Sequence, residues 1–260
     1  MKTKDIQIAF FDVDGTLVNP KTGCISPKTR ETLLRLHEKG IKLYLATGRP
    51  PASLPDLTGI YLDGFITVNG SLCYTHDTIL SHNPISPENV QKVIQNAAAL
   101  GRPVSVATRD QLAANGWDDD LADYYRLAGV ELSVTENFDA VCQENIYQIM
   151  LGCRKQDHPA IICGAEGVEI TFSWDRAADV IPTGSGKASA ILTVLNHYHL
   201  TPAQAIAFGD GFNDLEMLKT AGTGIAMGNA SPALKEAADD VCDPVWDEGI
   251  YHYCLRHELN

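Results

Sequence analysis

The stretch IQIAFFDVDGTL, residues 6–17 of this 260-residue chain, decides the fold. Its first half, Ile6–Phe11, is an apolar run that only Gln7 interrupts, which is typical of a strand buried on both faces of a parallel sheet. Asp12 and Asp14 follow where this strand ends, and ligands of open α/β sheets bind just outside the carboxyl ends of the strands. Gly15-Thr16 then predicts a tight turn in which the threonine hydroxyl bonds the loop backbone. The stretch therefore predicts an α/β fold with two carboxylates at the ligand-binding edge of its sheet.

The composition is that of an ordinary globular protein, with 45% hydrophobic and 20% charged residues. No apolar stretch approaches the roughly 18–20 residues of a membrane span. Asp5 and Asp12 interrupt any signal-peptide core, so we expect a cytoplasmic protein without a membrane partner. The net charge of -13 disfavours a nucleic-acid partner. The seven cysteines form no C-x-x-C pair, which disfavours a zinc site and a disulfide framework. The oligomeric state stays open, with a slight preference for a monomer.

Strands and helices alternate in two segments of the chain, which an insertion separates. Strands are predicted at Ile6–Phe11, Ile41–Ala46, Gly64–Val68, Ala205–Phe208 and Gly224–Met227, and helices at 26–39, 187–197 and 231–238. This rhythm predicts a parallel sheet with right-handed crossovers, built from residues 1–82 and 182–260. The insertion, residues 83–181, has strand-like pieces at Val104–Thr108, Tyr147–Cys153 and Val168–Ser173. The predicted fold class is thus α/β, a Rossmann-like parallel-sheet core with an inserted α/β domain.

Four loops carry chemically suggestive residues, and three of them follow predicted strands. They are Asp12/Asp14, Thr47-Gly48-Arg49, Lys187 and Gly209–Asp214. Because the carboxyl ends of parallel strands meet at one edge of a sheet, we expect these loops to lie close together. Each loop by itself is equally compatible with a plain turn, a solvated lysine or a helix N-cap. The prediction of a site therefore depends on their shared position.

The residue types in these loops suit the transfer of a phosphoryl group. One carboxylate of the Asp12/Asp14 pair suits a nucleophile that attacks phosphorus, and the other suits a general acid and base. Asp210 and Asp214 add further carboxylates, and so much negative charge beside a dianionic phosphate requires a cation. Oxygen ligands favour Mg²⁺. The Thr47 hydroxyl, the Gly48 N–H and the Lys187 ammonium suit phosphate donors.

Three other readings of the same stretches fail on sequence. A calcium loop that starts at Asp12 would need glycine and glutamate where Leu17 and Gly23 stand. A P-loop that ends at Lys187 would need glycine at Ile181 and serine or threonine at Ala188. The glycines around 222–228 do not match the spacing of a dinucleotide fingerprint. These mismatches disfavour a calcium-binding protein, an NTPase and a dinucleotide-binding enzyme.

The order and spacing of the four loops resemble the haloacid dehalogenase-like (HAD) hydrolase superfamily over nearly the whole chain. Asp12-Val13-Asp14-Gly15-Thr16-Leu17 resembles its first motif, Thr47-Gly48-Arg49 its second, Lys187 its third, and Gly209–Asp214 its fourth. The insertion between the second and third motifs resembles the α/β cap, class IIB, of the Cof-type branch. Asn69-Gly70 and the stretch 224–230 are also similar to that branch.

The resemblance implies a role for each motif residue. Asp12 would be the nucleophile, which forms an aspartyl-phosphate, and Asp14 would be the general acid and base. Mg²⁺ would be held by the Asp12 side chain, the Asp14 backbone carbonyl and Asp210. Asp214 would orient Lys187 or the waters of the metal. The phosphate would be held by Thr47, Gly48, Lys187 and Asn213, with help from the Val13 N–H.

The resemblance further implies a magnesium-dependent phosphatase, a phosphoric monoester hydrolase that acts on a small phosphorylated metabolite. Sugar phosphates are the expected substrates, because the chain is most similar to hexose-phosphate phosphatases. A phosphomutase, a phosphatase of FMN or pyridoxal phosphate, and a sugar-phosphate-binding protein with little turnover remain alternatives. Cap residues that would contact the leaving group are Arg109, Trp117, Tyr124, Trp174 and Arg176.

Overall fold

The structure is a computed structural model that describes residues 6–127, 129–172 and 174–259. Ser173, the last residue of one predicted strand, lies outside the described residues. The chain divides into two compact units. The first comprises Met1–Thr47, Pro55–Ser81 and Gly186–Asn260, and the second comprises Gly48–Leu54 and His82–Ser185. Along the described ranges, no helix combines the length and the apolar character that crossing a membrane requires.

The first unit is built on a mainly parallel sheet. Within the described ranges its strands run in the order β15-β14-β13-β1-β4-β5-β6-β7. Their bounds, with those of the small hairpin β2–β3, are β1 Ile8–Phe11, β2 Val18–Asn19, β3 Cys24–Ile25, β4 Lys42–Ala46, β5 Gly64–Thr67, β6 Leu72–Thr75, β7 Ile79–His82, β13 Ala205–Gly209, β14 Thr223–Ala226 and β15 Asp240–Val241. The helices are α1 Pro27–Glu38, α6 Lys187–His197, α7 Leu215–Thr220, α8 Pro232–Ala237 and α9 Gly249–Arg256. The predicted α/β fold is confirmed.

Strand β1 lies inside this sheet, as its apolar run predicts. It pairs in parallel with β13 on one side and with β4 on the other. All four of its residues are buried. Phe10 belongs to the cluster that packs against α6, whereas Phe11 stacks on Phe208, which in turn contacts Tyr253 of α9. Helices therefore cover both faces of β1, and the loops that follow β1, β4 and β13 leave the same edge of the sheet.

Local signals in the sequence set where several helices begin. The Ser26 hydroxyl accepts a hydrogen bond from the Thr29 N–H, and Pro27 occupies the first turn of α1. Ser231 caps α8 in the same way through the Leu234 N–H. Helix α6 begins at Lys187, which is buried, and so its first residue belongs to the interior of the unit.

Other parts of the first unit depart from the predicted pattern. The edge of the sheet beyond β5 is antiparallel, because β6 runs against β5 and β7 follows β6. The hairpin β2–β3 and helix α9 were not predicted either. The parallel core therefore carries an antiparallel extension that the alternation of strands and helices did not indicate.

The second unit has its own sheet and its own apolar core. Along the described residues its strands run in the order β11-β12-β10-β8-β9, and neighbouring strands in this order are antiparallel. The strands are β8 Ser105–Ala107, β9 Leu112–Ala114, β10 Gln148–Gly152, β11 Val168–Thr171 and β12 Ala177–Pro182. The helices are α2 Pro87–Ala99, α3 Asp119–Leu127, α4 Phe138–Val141 and α5 His158–Ile161. Alternate residues of the central strands, such as Ile149 and Leu151, enter one cluster with α2.

Candidate active site

The loop after β1 places two carboxylates beside a tight turn. Asp12 is 7% exposed, and its N–H donates to the Phe208 carbonyl at 3.0 Å. Asp14 is half-buried. The Val13 carbonyl accepts from the N–H groups of residues 16, 17 and 18, which closes the turn. Gly15 adopts a φ of 85°, and a Cβ there would lie 2.2 Å from Oδ2 of Asp210. The turn therefore requires glycine for its backbone and for the approach of Asp210.

Lys187 joins the first and fourth motifs through two ion pairs. Its Nζ lies 2.6 Å from Oδ1 of Asp12 and 2.6 Å from Oδ1 of Asp214. Burial alone would lower the pKa of the lysine, but the charges of the two aspartates and their hydrogen bonds outweigh burial and raise the pKa above its ordinary value. The side chain is therefore a fixed cation in the interior of the site.

Asp210 is held by two side chains, one on each carboxylate oxygen. The Thr16 hydroxyl donates to Oδ1 at 2.8 Å, and Nδ2 of Asn229 donates to Oδ2 at 3.1 Å. Asn229 also donates to the Gly15 carbonyl and accepts from the Val245 N–H. The prediction that the Thr16 hydroxyl bonds its own loop was wrong, because the fold brings the hydroxyl to a residue 194 positions away. Asp210 thus has a fixed orientation toward Asp12.

Asp214 closes the fourth motif on itself. Its Oδ2 accepts the N–H groups of Asp210 and Gly211 at 3.0 and 2.9 Å, while Oδ1 accepts from Lys187. The side chain is fully buried. It orients both the loop that carries Asp210 and the ammonium of Lys187.

Three carboxylates of this site lie close enough together to share a metal ion. One oxygen each from Asp12, Asp210 and Asp214 lies within 4.8 Å of the others. Burial and the charge of Asp214 raise the pKa of Asp12 well above its ordinary value, against the attraction of Lys187. The same two causes raise the pKa of Asp210 to about 7, against the hydrogen bond from Thr16. Such crowded carboxylates fit a hard divalent cation, which would offset their repulsion.

Two further phosphate candidates, Thr47 and Asn213, follow the two strands that flank β1. Thr47 follows β4, is buried, and donates its N–H to the Ile66 carbonyl at 2.8 Å. Asn213 donates from Nδ2 to Oδ1 of Asn69 at 3.0 Å. Gly48 comes directly after Thr47 but belongs to the second unit, so its predicted part in the phosphate site stays a prediction.

Comparison with known proteins identifies the family. The chain matches the family of haloacid dehalogenase-like hydrolases over residues 9–254. It belongs to this family. YkrA of Bacillus subtilis is 31% identical over 252 residues, which are 95% of each chain. The HMP-PP phosphatase of Cronobacter sakazakii is 30% identical over 88% of this chain and 86% of its own length. The HAD subclass IIB sugar phosphatase BT4131 superposes with a TM-score of 0.89 at 28% identity, over 98% of this chain and 100% of its own.

The predicted resemblance is therefore confirmed, and so is the predicted class of enzyme, a phosphatase. In this haloacid dehalogenase-like hydrolase, the first, third and fourth motifs form the cluster of Asp12, Lys187, Asp210 and Asp214. The three carboxylates that lie close together are those of Asp12, Asp210 and Asp214, whereas the predicted metal ligands are Asp12, Asp14 and Asp210. The predicted metal role of Asp14 concerns its backbone carbonyl, and this role stays a prediction.

The predicted cap residues of the hydrolase have partners within the second unit or are exposed. The Tyr124 hydroxyl donates to both carboxylate oxygens of Asp179, at 3.0 and 2.9 Å. Arg176 binds Asp120 and Asp123, and its guanidinium lies 4.5 Å from the centre of the Trp174 ring. Arg109 and Trp117 are exposed. Contact of these five residues with a substrate stays a prediction.

Sequence reasoning missed two hydrolase residues that shape the site, Asn69 and Asn229. Each lies in a stretch that is similar to the family branch, but the resemblance implies no role for either. Both are asparagines just after a strand, Asn69 after β5 and Asn229 after β14. A search for amides at the same sheet edge as the aspartates would have found them.

Proposed function

We propose that this hydrolase is a magnesium-dependent phosphatase that hydrolyses small phosphate monoesters through an aspartyl-phosphate on Asp12. The observation that carries the proposal is the double ion pair of Lys187 with Asp12 and Asp214 beside Asp210. A buried lysine against a carboxylate nucleophile is an arrangement that simple binding of a sugar phosphate does not need. Three carboxylates around it fit the cation that a phosphoryl group requires.

The proposed reaction has two displacement steps at phosphorus. In the first, the Asp12 carboxylate attacks, an Asp12 oxygen–phosphorus bond forms, and the bond to the leaving oxygen breaks. Asp14 gives its proton to that oxygen. In the second, Asp14 takes a proton from water, the water oxygen attacks phosphorus, and the bond to Asp12 breaks to release inorganic phosphate.

Other residues of the site are proposed to bind the phosphate and the metal ion. Lys187 holds one oxygen of Asp12 in place and offsets charge on the phosphoryl oxygens. Thr47 and Asn213 are the proposed neutral donors to the phosphate. Asp12, Asp210 and the Asp14 carbonyl are the proposed ligands of Mg²⁺, which would polarise the phosphoryl group when bound.

Two substrate classes follow from the relatives. A sugar phosphate is favoured by the similarity to the sugar phosphatase BT4131. HMP-PP is a second candidate because several relatives at 29–30% identity are HMP-PP phosphatases. Both are small phosphorylated metabolites, and both are compatible with the same chemistry at Asp12.

The test is phosphate release from a panel of sugar phosphates, HMP-PP, FMN, pyridoxal phosphate and nucleotides, with Mg²⁺ and with excess chelator. We expect release from one class, and its loss with chelator. Asp12→Asn should abolish release, whereas Asp77→Asn, a matched change at an exposed aspartate, should not. Turnover by Asp12→Asn at the rate of the unchanged protein would contradict the nucleophile.

The acid role of Asp14 has its own readout. Asp14→Asn should slow substrates with poor leaving groups more than activated aryl phosphates, because only the former need a proton. Equal slowing of both would contradict this role. Folded protein that releases no phosphate from any compound would favour a mutase or a binding protein.

A further inference from the structure

The segment Val68-Asn69-Gly70 has an unusual backbone. Its three residues have φ values of 46°, 52° and 89° in succession, and all three are buried. Left-handed backbone is disfavoured for a β-branched residue such as valine, and it persists only where the surroundings enforce it. Conformations of this kind concentrate at functional sites. The conformation of this segment therefore suggests that it positions a neighbouring functional group.

The segment contacts three of the loops that carry the proposed phosphate ligands. The Asn69 N–H donates to the Thr47 carbonyl at 3.0 Å, and Oδ1 of Asn69 accepts from Nδ2 of Asn213 at 3.0 Å. Gly70 lies against Gly186, the residue before Lys187, so closely that a Cβ on Gly70 would be 2.2 Å from the Gly186 carbonyl oxygen. One short segment thus links the second, third and fourth motifs.

We propose that Asn69 is a positioning residue for phosphate binding, which acts by fixing the side-chain amide of Asn213. An amide nitrogen has two N–H groups. The bond to Asn69 uses one of them and thereby fixes the plane in which the other lies. The second N–H of Asn213 is then oriented before the phosphate arrives. This inference rests on the proposed function, because that proposal assigns Asn213 to the phosphate.

Backbone conformation alone offers a competing explanation for Asn69. Asparagine tolerates left-handed φ better than most residues, so its side chain need not matter. Asn69→Gly separates the two explanations, since glycine adopts the same φ freely but lacks the acceptor oxygen. If only the backbone matters, the Asn69→Gly protein will bind phosphate as the unchanged protein does.

The experiment is calorimetric titration of inorganic phosphate into the full chain in the presence of Mg²⁺. The proteins are the unchanged chain, Asn69→Gly, Asn213→Ala and the double variant. We expect each single change to weaken phosphate binding about 10-fold, as loss of one well-placed hydrogen bond would. The double variant should bind no more weakly than Asn213→Ala, because Asn69 acts through Asn213. His199→Gly, at a residue with φ of 56° two positions after α6, is the matched control and should bind normally.

Two outcomes would overturn the inference while leaving the proposed phosphate site intact. One is normal phosphate binding by Asn69→Gly together with weak binding by Asn213→Ala. The other is full additivity of the two changes. Normal binding by Asn213→Ala would instead contradict the assignment of Asn213 in the proposed function, and the inference would fall with it.

A second variant keeps the test valid if Asn69→Gly does not fold. Asn69→Ala also removes the acceptor oxygen, and its backbone strain is the same with and without Asn213→Ala, so the strain cancels in the comparison. We expect Asn213→Ala to weaken phosphate binding little further in the Asn69→Ala protein, because the amide of Asn213 is no longer fixed there. A cost as large as in the unchanged chain would contradict the inference.

Discussion

Replacing Lys187 with methionine tests the electrostatic balance of the site. Methionine keeps an unbranched side chain of similar length and removes the charge. Nζ lies 2.6 Å from oxygens of both Asp12 and Asp214, and the lysine side chain is 1% exposed. At such distances each pair contributes several kcal/mol of attraction, even at the effective dielectric constant of about 20 that suits proteins. Its removal leaves two buried carboxylates close together without a cation.

Proton uptake limits how much stability the protein can lose. One proton shared between the two carboxylates relieves most of their repulsion. For an aspartate of ordinary pKa, about 3.9, that proton costs about 4 kcal/mol at pH 7 and about 1.5 kcal/mol at pH 5. We therefore expect Lys187→Met to lower the free energy of unfolding by about 3–4 kcal/mol at pH 7 and by about 1–2 kcal/mol at pH 5.

The assay is urea unfolding at both pH values with chelator present, so that no metal ion replaces the lysine. Lys187→Met/Asp214→Asn should recover at least about half of the loss at pH 7, because it removes one carboxylate but keeps an acceptor oxygen for the loop N–H groups. Lys219→Met, which breaks an exposed pair with Glu216, is the control and should change stability by less than about 1 kcal/mol. An equal loss for Lys187→Met at pH 5 and pH 7 would refute the reasoning.

Three further predictions concern the metal cradle and the second unit. Asn229→Ala frees one oxygen of Asp210 and should raise the Mg²⁺ concentration for half-maximal activity about 10–100-fold, measured by magnesium titration. Gly15→Ala forces a Cβ onto Asp210. It should abolish phosphate release in a protein that still folds, which a melting curve would show. The hydrogen bond from Arg154, with that from Arg176, lowers the pKa of Asp120 below its ordinary value of 3.8 against the effect of burial, so Asp120 binds protons more tightly when unfolded. Its contribution to stability is complete above this ordinary value and disappears as the pH falls through the folded pKa. The free energy of unfolding should therefore fall less steeply with decreasing pH in Asp120→Asn than in the unchanged protein, as measured by urea unfolding at a series of acidic pH values.

The parallel core could be predicted because its signals are local. The apolar run of β1, the serine caps of α1 and α8, and the acidic loops are each visible within a few residues. Strand β6 has four residues and no long alternation, so nothing local separates it from a loop. The residue before helix α9 is Glu248, which has a φ of 58° and makes no capping hydrogen bond with its side chain. The sequence therefore contains no signal for the start of this helix. Its place is fixed by packing, including the contact of Tyr253 with Phe208.

The location of the site was predictable, but its individual bonds were not. Strand ends at one sheet edge explain why Asp12 and Asp210 lie close together. The hydrogen bonds of Thr16 and Lys187 join residues 194 and 175 positions apart, and their geometry depends on turns whose course the sequence leaves open. Asn69 is the strongest case, since its effect depends on a left-handed backbone at Val68, which residue preference argues against.

The charge of the site links its fold to its proposed chemistry. Asp12, Asp210 and Asp214 contribute three negative charges when ionised, and Lys187 returns one positive charge, which leaves two negative charges at the sheet edge. Without a metal ion, burial and this excess of negative charge favour protonation, and the pKa values of Asp12 and Asp210 are therefore raised. A divalent cation would neutralise the excess without consuming the nucleophile. A dianionic phosphate would otherwise meet a site of its own sign, so we expect Mg²⁺ to bind before phosphate, and calorimetric titration of phosphate with chelator present should give no measurable heat of binding.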